Sequence, residues 1–172
     1  KPLASGVPAA CYGMTEEVAE RVQAFMETLP STDVGGVGGT LSGNALSLAA
    51  MRATLEQVLT DEAFERMIAL GERWADGVQA AIAEFDLPWT IQRIGCRAEY
   101  WFVERIPRNG AEAAASDDHE LARFCHLYAL NRGILLTPFH NMALMSPATT
   151  QADVDVHTQV FREMCAELVG RA

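Results

Sequence analysis

The residues with the clearest chemical potential lie in one glycine-rich stretch. Five of the fourteen residues 31–44 are glycine, and the stretch ends Gly38-Gly39-Thr40-Leu41-Ser42-Gly43-Asn44 before a helical pattern begins. A backbone with so little side-chain cover suits a close approach or unusual dihedrals. It is not a nucleotide P-loop, because no lysine follows Gly39. It is not a dinucleotide fingerprint either, because Leu41 stands where the last glycine of GxGxxG is needed. What remains is a Gly39-Thr40 turn running into a helix start. Free backbone N–H groups, a threonine hydroxyl and a helix N-terminus together suit a phosphate. The same residues would serve equally well as a purely structural turn.

Two cationic positions come next. Lys1 heads the chain in a Gly/Pro-containing loop; taken alone, a terminal lysine reads as a solvated end. Arg132 follows an apolar helical pattern and precedes Gly133 and Ile134-Leu135-Leu136. A cation is favoured at a helix C-terminus, and a planar guanidinium also binds carboxylates bidentately, so both roles are open. Arg97 is a second candidate for carboxylate binding, or simply a partner of Glu99 or Glu104.

Composition removes several classes of function. The net charge is -10 and lysines and arginines form no cluster, which argues against nucleic-acid binding. No uninterrupted apolar run has the length of a membrane span. Cys11, Cys96, Cys125 and Cys165 form no CxxC pair, and no HExxH occurs. Buried free thiols in a reducing, cytoplasmic compartment fit this spacing better than disulfides or a metal site. The chain opens without methionine, directly in a loop, and is expected to be a fragment or a processed product.

The elements that must position these residues follow from periodicity. Val7 to Tyr12 reads as a short strand. Thr15 caps a helix with Val18, Val22, Phe25 and Met26 on one face, ended by Pro30. Helices are expected over 45–59 and 61–85, then strands over 89–94 and 97–103 split by Gly95. A polar loop over 106–117 leads to a helix over 118–131 stopped by Gly133. Ile134 to Thr137 and Met142 to Met145 read as short strands, and Thr150 caps a last helix. This order suits a small α/β or α+β unit whose sheet is covered by helices. The first 45 residues read as the end of another domain.

Gly39-Thr40-Leu41-Ser42-Gly43-Asn44-Ala45-Leu46-Ser47-Leu48-Ala49-Ala50 resembles the GTxSGNPLAxAA segment of class-III pyridoxal-phosphate (PLP) aminotransferases. Ala45 replaces a frequent proline. Lys1-Pro2-Leu3-Ala4-Ser5-Gly6-Val7-Pro8-Ala9-Ala10-Cys11-Tyr12-Gly13 is similar to the family's K-x-x-G-G-G-x-P-x-G-A-x-G, with small residues at the departures. The resemblance covers essentially the whole chain, and the Lys1-to-Thr40 spacing is the family's. Gly95 to Tyr100 and Ala129 to Met145 resemble the β-amino-acid branch, such as β-phenylalanine aminotransferases, more than the glutamate-1-semialdehyde aminomutases.

The resemblance implies an α/β fold, the C-terminal part of a fold-type-I PLP-dependent transferase. Residues 1–45 would close the large cofactor domain, 46–60 would form an interdomain helix, and 61–172 would form a small α+β domain. Lys1 would carry pyridoxal 5'-phosphate and act in catalysis. Gly39 and Thr40 would bind the phosphate of the neighbouring subunit in a homodimer with shared active sites. Arg132 would bind the substrate carboxylate. The implied activity is amino-group transfer between a β-amino acid and a 2-oxo acid, with an aminomutase of the glutamate-1-semialdehyde type as the alternative. The contrasting expectation is a non-catalytic or separated half, an assembly piece that works only with the upstream half of the enzyme.

Overall fold

The computed structural model describes residues 2–30, 38–137 and 140–170. They divide into two compact units, 1–60 and 61–172.

The first unit is built from a 3-10 turn, Pro2–Ala4, and helices α1 (Glu16–Met26) and α2 (Ala45–Gln57). Thr15 caps α1 by accepting from the Val18 N–H, and Glu16 and Glu17 occupy its first turn, where the helix dipole favours negative charge. Asn44 caps α2 by accepting from the Ser47 N–H at 2.9 Å. The α2 helix packs on the Pro2–Ala4 turn. There the Ser5 and Thr54 hydroxyls lie 2.9 Å apart, and Ser47 Oγ donates to the Pro8 carbonyl at 2.8 Å. The strand expected over Val7 to Tyr12 does not form. A lone apolar run has no ladder to join, and backbone groups left in water need none.

The second unit carries the core. Helix α3 (Asp61–Glu84) buries Met67, Leu70, Trp74, Val78, Ala81 and Ile82 at helical spacing, which supplies the driving force for a 24-residue helix. It ends through Asp86, at φ 50°, with the Leu87 N–H closing onto the Ile82 carbonyl. Strands β1 (Thr90–Ile94) and β2 (Arg97–Trp101) form a hairpin around Gly95 at φ 55°. Strand β3 (Met142–Leu144) pairs antiparallel with β2, giving the order β1-β2-β3. Helix α3 crosses the sheet closely, and a Cβ on Gly71 would sit 3.2 Å from backbone atoms of Gly95 and Cys96.

Helix α5 (His119–Leu130) and helix α6 (Gln151–Leu168) complete the layer, and α6 packs on α3. Thr150 and Asp153 form a full capping box at the start of α6. Inside, Trp74, Trp89, Tyr100, Phe102 and Phe161 form a continuous aromatic cluster with ring centroids 4.8–6.4 Å apart.

Two further expectations are corrected. Gly110–Ala115 forms a short helix, α4, inside the expected loop, capped by Asn109. Ile134 to Thr137 is not a strand; instead it lines, with Met142 to Ser146, a cavity of about 470 Å³. The four cysteines are free; Cys125 and Cys165 are buried, while Cys11 is exposed and Cys96 half-buried. Burial pushes the Cys125 and Cys165 thiols up to about 12, so both stay protonated and unreactive.

Candidate cofactor- and substrate-binding residues

Gly39 and Thr40 sit together at the turn before α2, and both are exposed. The Ser42 N–H bonds back to the Gly39 carbonyl at 2.9 Å, and Asn44 Nδ2 donates to the Leu41 carbonyl at 2.9 Å. Gly38 has φ 144°, and a Cβ there would collide with the Ser42 side chain. The turn is thus held from within, by backbone N–H bonds, the Asn44 amide and the close approach at Gly38. The Thr40 hydroxyl has no partner among the described residues and faces outward at the start of a 13-residue helix. Donors held in place and left unpaired are what an incoming phosphate needs, so these residues fit the phosphate of a PLP-type cofactor.

Lys1 lies outside the described residues. Its neighbours Pro2 to Ala4 form the turn on which α2 packs.

Arg132 stands in the second unit, at the exit of α5. The Gly133 and Ile134 N–H groups close onto the Leu130 and Ala129 carbonyls, with Gly133 at φ 81°, the Schellman ending that favours glycine. The Arg132 guanidinium lies 3.4 Å from the centroid of the Tyr128 ring, and Nη1 donates to the Tyr128 carbonyl at 3.3 Å. Stacking orients the planar group. The residue remains exposed, which leaves guanidinium N–H donors for an anion.

Arg97 does pair with Glu99, Nη2 to Oε2 at 2.9 Å. The other oxygen of Glu99 meets His140 Nδ1 at 3.3 Å. Sequence reasoning did not single out this three-residue cluster. The Arg97–Glu99 pairing was one of the readings open in the sequence; His140 joins it because the strand register sets Glu99 opposite Met142, two residues beyond His140.

His157 was also missed. It is buried against Trp74, ring centroids 4.9 Å apart, and its Nδ1 has no partner. Burial lowers its pKa to about 4, so the ring is neutral at pH 7 and belongs to the core. Among the described residues no group of three or more His, Cys, Asp or Glu is placed to hold a metal ion, and no helix is long and apolar enough to cross a membrane.

No protein-family model matches the chain. Among curated proteins it is 33% identical over 165 residues to glutamate-1-semialdehyde 2,1-aminomutase 2 of Halalkalibacterium halodurans, covering 95% of this chain and 36% of that protein. It is 31% identical over 173 residues to glutamate-1-semialdehyde 2,1-aminomutase of Neisseria gonorrhoeae, covering 96% and 38%. Among solved structures, a glutamate-1-semialdehyde-aminomutase from Pseudomonas aeruginosa PAO1 superposes with a TM-score of 0.85 at 45% identity, over 91% of this chain and 35% of that one. A variant of that protein was solved in complex with PMP. A β-phenylalanine aminotransferase from Variovorax paradoxus matches with a TM-score of 0.65 at 26% identity, over 73% and 29%. The chain spans a little over a third of the length of the curated relatives it matches. Across these matches, sequence and fold agree: the chain belongs to the class-III PLP-dependent aminotransferase family, of whose fold it forms the C-terminal part.

Proposed function

We propose that the full-length protein moves an amino group with pyridoxal 5'-phosphate, and that this chain supplies the lysine, one phosphate-binding turn and a carboxylate-binding arginine. The observation that carries this reading is the Gly39-Thr40 turn at the head of α2, whose threonine hydroxyl has no partner among the described residues. When bound, the cofactor supplies an electron sink for charge developing on the substrate carbon.

The chain's own residues do the rest. The Lys1 amine would hold the cofactor and would carry a proton to and from the reacting substrate carbon. Thr40 and the adjacent amides hold the phosphate, and the resemblance assigns that phosphate to the neighbouring subunit of a homodimer. The exposed Leu41 and Leu46 beside the turn, 79% and 72% accessible, support a partner surface there. Arg132, stacked on Tyr128, holds the substrate carboxylate by charge-assisted hydrogen bonds. Residues 1–45 close the large domain, 46–60 bridge, and 61–172 form the small domain.

Two substrate readings follow. The aminomutase reading is favoured by 45% identity to the Pseudomonas protein against 26% to the β-phenylalanine aminotransferase. Transfer between a β-amino acid and a 2-oxo acid is favoured by the 129–145 stretch and by the fold match to the Variovorax enzyme. Incubating the full-length enzyme separately with glutamate-1-semialdehyde and with β-phenylalanine plus 2-oxoglutarate decides between them. Turnover of neither overturns the proposed reaction and leaves the assembly-piece reading.

A further inference from the structure

Helices α3 and α6, strand β3 and the segment 133–137 border a cavity of about 470 Å³ in the second unit, and none of the candidate cofactor- or substrate-binding residues lines it. Ile134, Leu136, Met142, Met145 and Val154 give it apolar surface. Leu135, Leu144 and Val156 line it too and stay exposed, so it is reached from solvent. Among the described residues no lysine or arginine lines it, and its one acidic residue, Asp153, is taken up by the Thr150 cap. A bound anion would find no counter-charge, and a cation would have to displace the cap; a neutral guest fits.

Two polar atoms of the lining residues are left over. Trp74 and His157 both line the cavity and are 1% and 5% exposed. Trp74 Nε1 and His157 Nδ1 are buried with no hydrogen-bond partner among the described residues. Their rings are adjacent, with centroids 4.9 Å apart. Ser146 and Thr149 also line the cavity, but their hydroxyls bond each other, 3.1 Å apart. Buried polar groups are nearly always paired, so two orphans on adjacent rings in one cavity lining point to a guest that pairs them. The indole N–H can only donate. The imidazole is kept neutral by burial, which lowers its pKa to about 4, and its Nδ1 donates or accepts according to the tautomer. A hydroxyl answers both: its oxygen accepts from Trp74, and it either donates to His157 or accepts a second bond from it. A carbonyl or ether serves one tautomer only. A single water would take about 30 Å³ and leave an apolar remainder with few partners for more water. The volume is that of a small-molecule site.

We propose that this cavity binds a small neutral alcohol, with its apolar body against Leu136, Met145 and Val154 and its hydroxyl held by Trp74 Nε1 and His157 Nδ1. The site uses none of the residues assigned to amino-group transfer and does not rest on the function proposed above.

The test uses the full-length protein, isotopically labelled in its tryptophan nitrogens, and two probes of nearly equal shape: benzyl alcohol, and ethylbenzene, which replaces the hydroxyl by a methyl group. Dissociation constants are read from the indole resonances by nuclear magnetic resonance. Benzyl alcohol should shift the Trp74 Nε1–H resonance in the wild type. Trp74→Phe and His157→Phe each remove one polar atom and keep a ring; each should weaken benzyl alcohol by about tenfold and change ethylbenzene by less than about twofold. Leu136→Trp, which fills the cavity, should abolish the binding of both probes. Where a ring variant fails to fold, the wild-type Trp74 shift and its loss in Leu136→Trp decide the matter. The readout is binding, so it stands whether or not the protein transfers an amino group. The inference is overturned if benzyl alcohol leaves the Trp74 resonance unmoved, if Leu136→Trp binds it normally, or if the ring variants weaken both probes alike or neither.

Discussion

The two units of this chain use apolar residues in opposite ways. In 61–172, Trp74, Val78, Tyr100, Phe161 and Cys165 are almost fully enclosed, and each large side chain removed from water contributes about 1.5–3 kcal/mol. In the first unit, only Ala4 and Thr54 are buried among the described residues. Helix α1 buries none of its residues, and Phe25 is 63% exposed. The second unit is a domain with its own core. The first has ordinary helix caps and turns and little interior among its described residues.

The sharpest way to break this comparison is to delete a large side chain from each unit. Trp74→Ala should cost the second unit about 3–5 kcal/mol in denaturant unfolding of this chain, because the ring is 1% exposed and contacts Tyr100 and His157. Leu46→Ala, at 72% exposure, should change the same transition by less than about 0.5 kcal/mol. Equal losses would mean that the first unit has a core after all.

Acid should act on the second unit through His157. Its folded-state pKa is lowered by burial to about 4, below the ordinary value of about 6.5. The folded state therefore favours the neutral ring. That stability is complete above about pH 6.5, is lost as pH falls toward 4, and amounts to about 3 kcal/mol across the window. Melting curves of His157→Phe should be flatter than wild type between those pH values. A parallel profile would show that the acid sensitivity lies elsewhere.

The functional residues should give smaller energetic effects. Thr40→Val in the full-length enzyme should weaken cofactor retention by about 1.5–3 kcal/mol, the range for a hydrogen bond to a charged group, with the fold intact by circular dichroism. Arg132→Met should lower kcat/KM for a carboxylate-bearing amino substrate by about 10- to 100-fold, or about 1.4–2.8 kcal/mol, and leave a simple amine nearly unaffected. Equal losses with both would make Arg132 a helix-end residue resting on Tyr128.

The same contrast explains what the sequence could and could not tell. Helices α3 and α6 were legible because burial imposes a 3.6-residue rhythm on Met67, Leu70, Trp74 and Val78 and on Val154, Phe161 and Met164. The Gly95 hairpin was legible because a turn residue divides two apolar runs. The strands expected over 7–12 and 134–137 failed for a shared reason: an apolar run reports burial or contact, not a ladder partner. Helix α4 has six residues and no buried face, so periodicity had nothing to register. Glu99 with His140 and Arg97 depends on the pairing of β2 with β3 across about forty residues, which no local pattern encodes. The turn at Gly39 and Thr40 was legible as a motif because its chemistry is local.

Lys1, the only lysine in these 172 residues, is proposed to carry the cofactor in the full-length enzyme. Borohydride reduction of the holoenzyme followed by peptide mass spectrometry tests it directly, because reduction fixes the cofactor to whichever lysine holds it. The added cofactor mass is expected on the peptide containing Lys1-Pro2-Leu3, with loss of that label together with amino-group transfer in Lys1→Ala. Cofactor mass on a lysine elsewhere in the protein, with the Lys1 peptide unmodified, would contradict it.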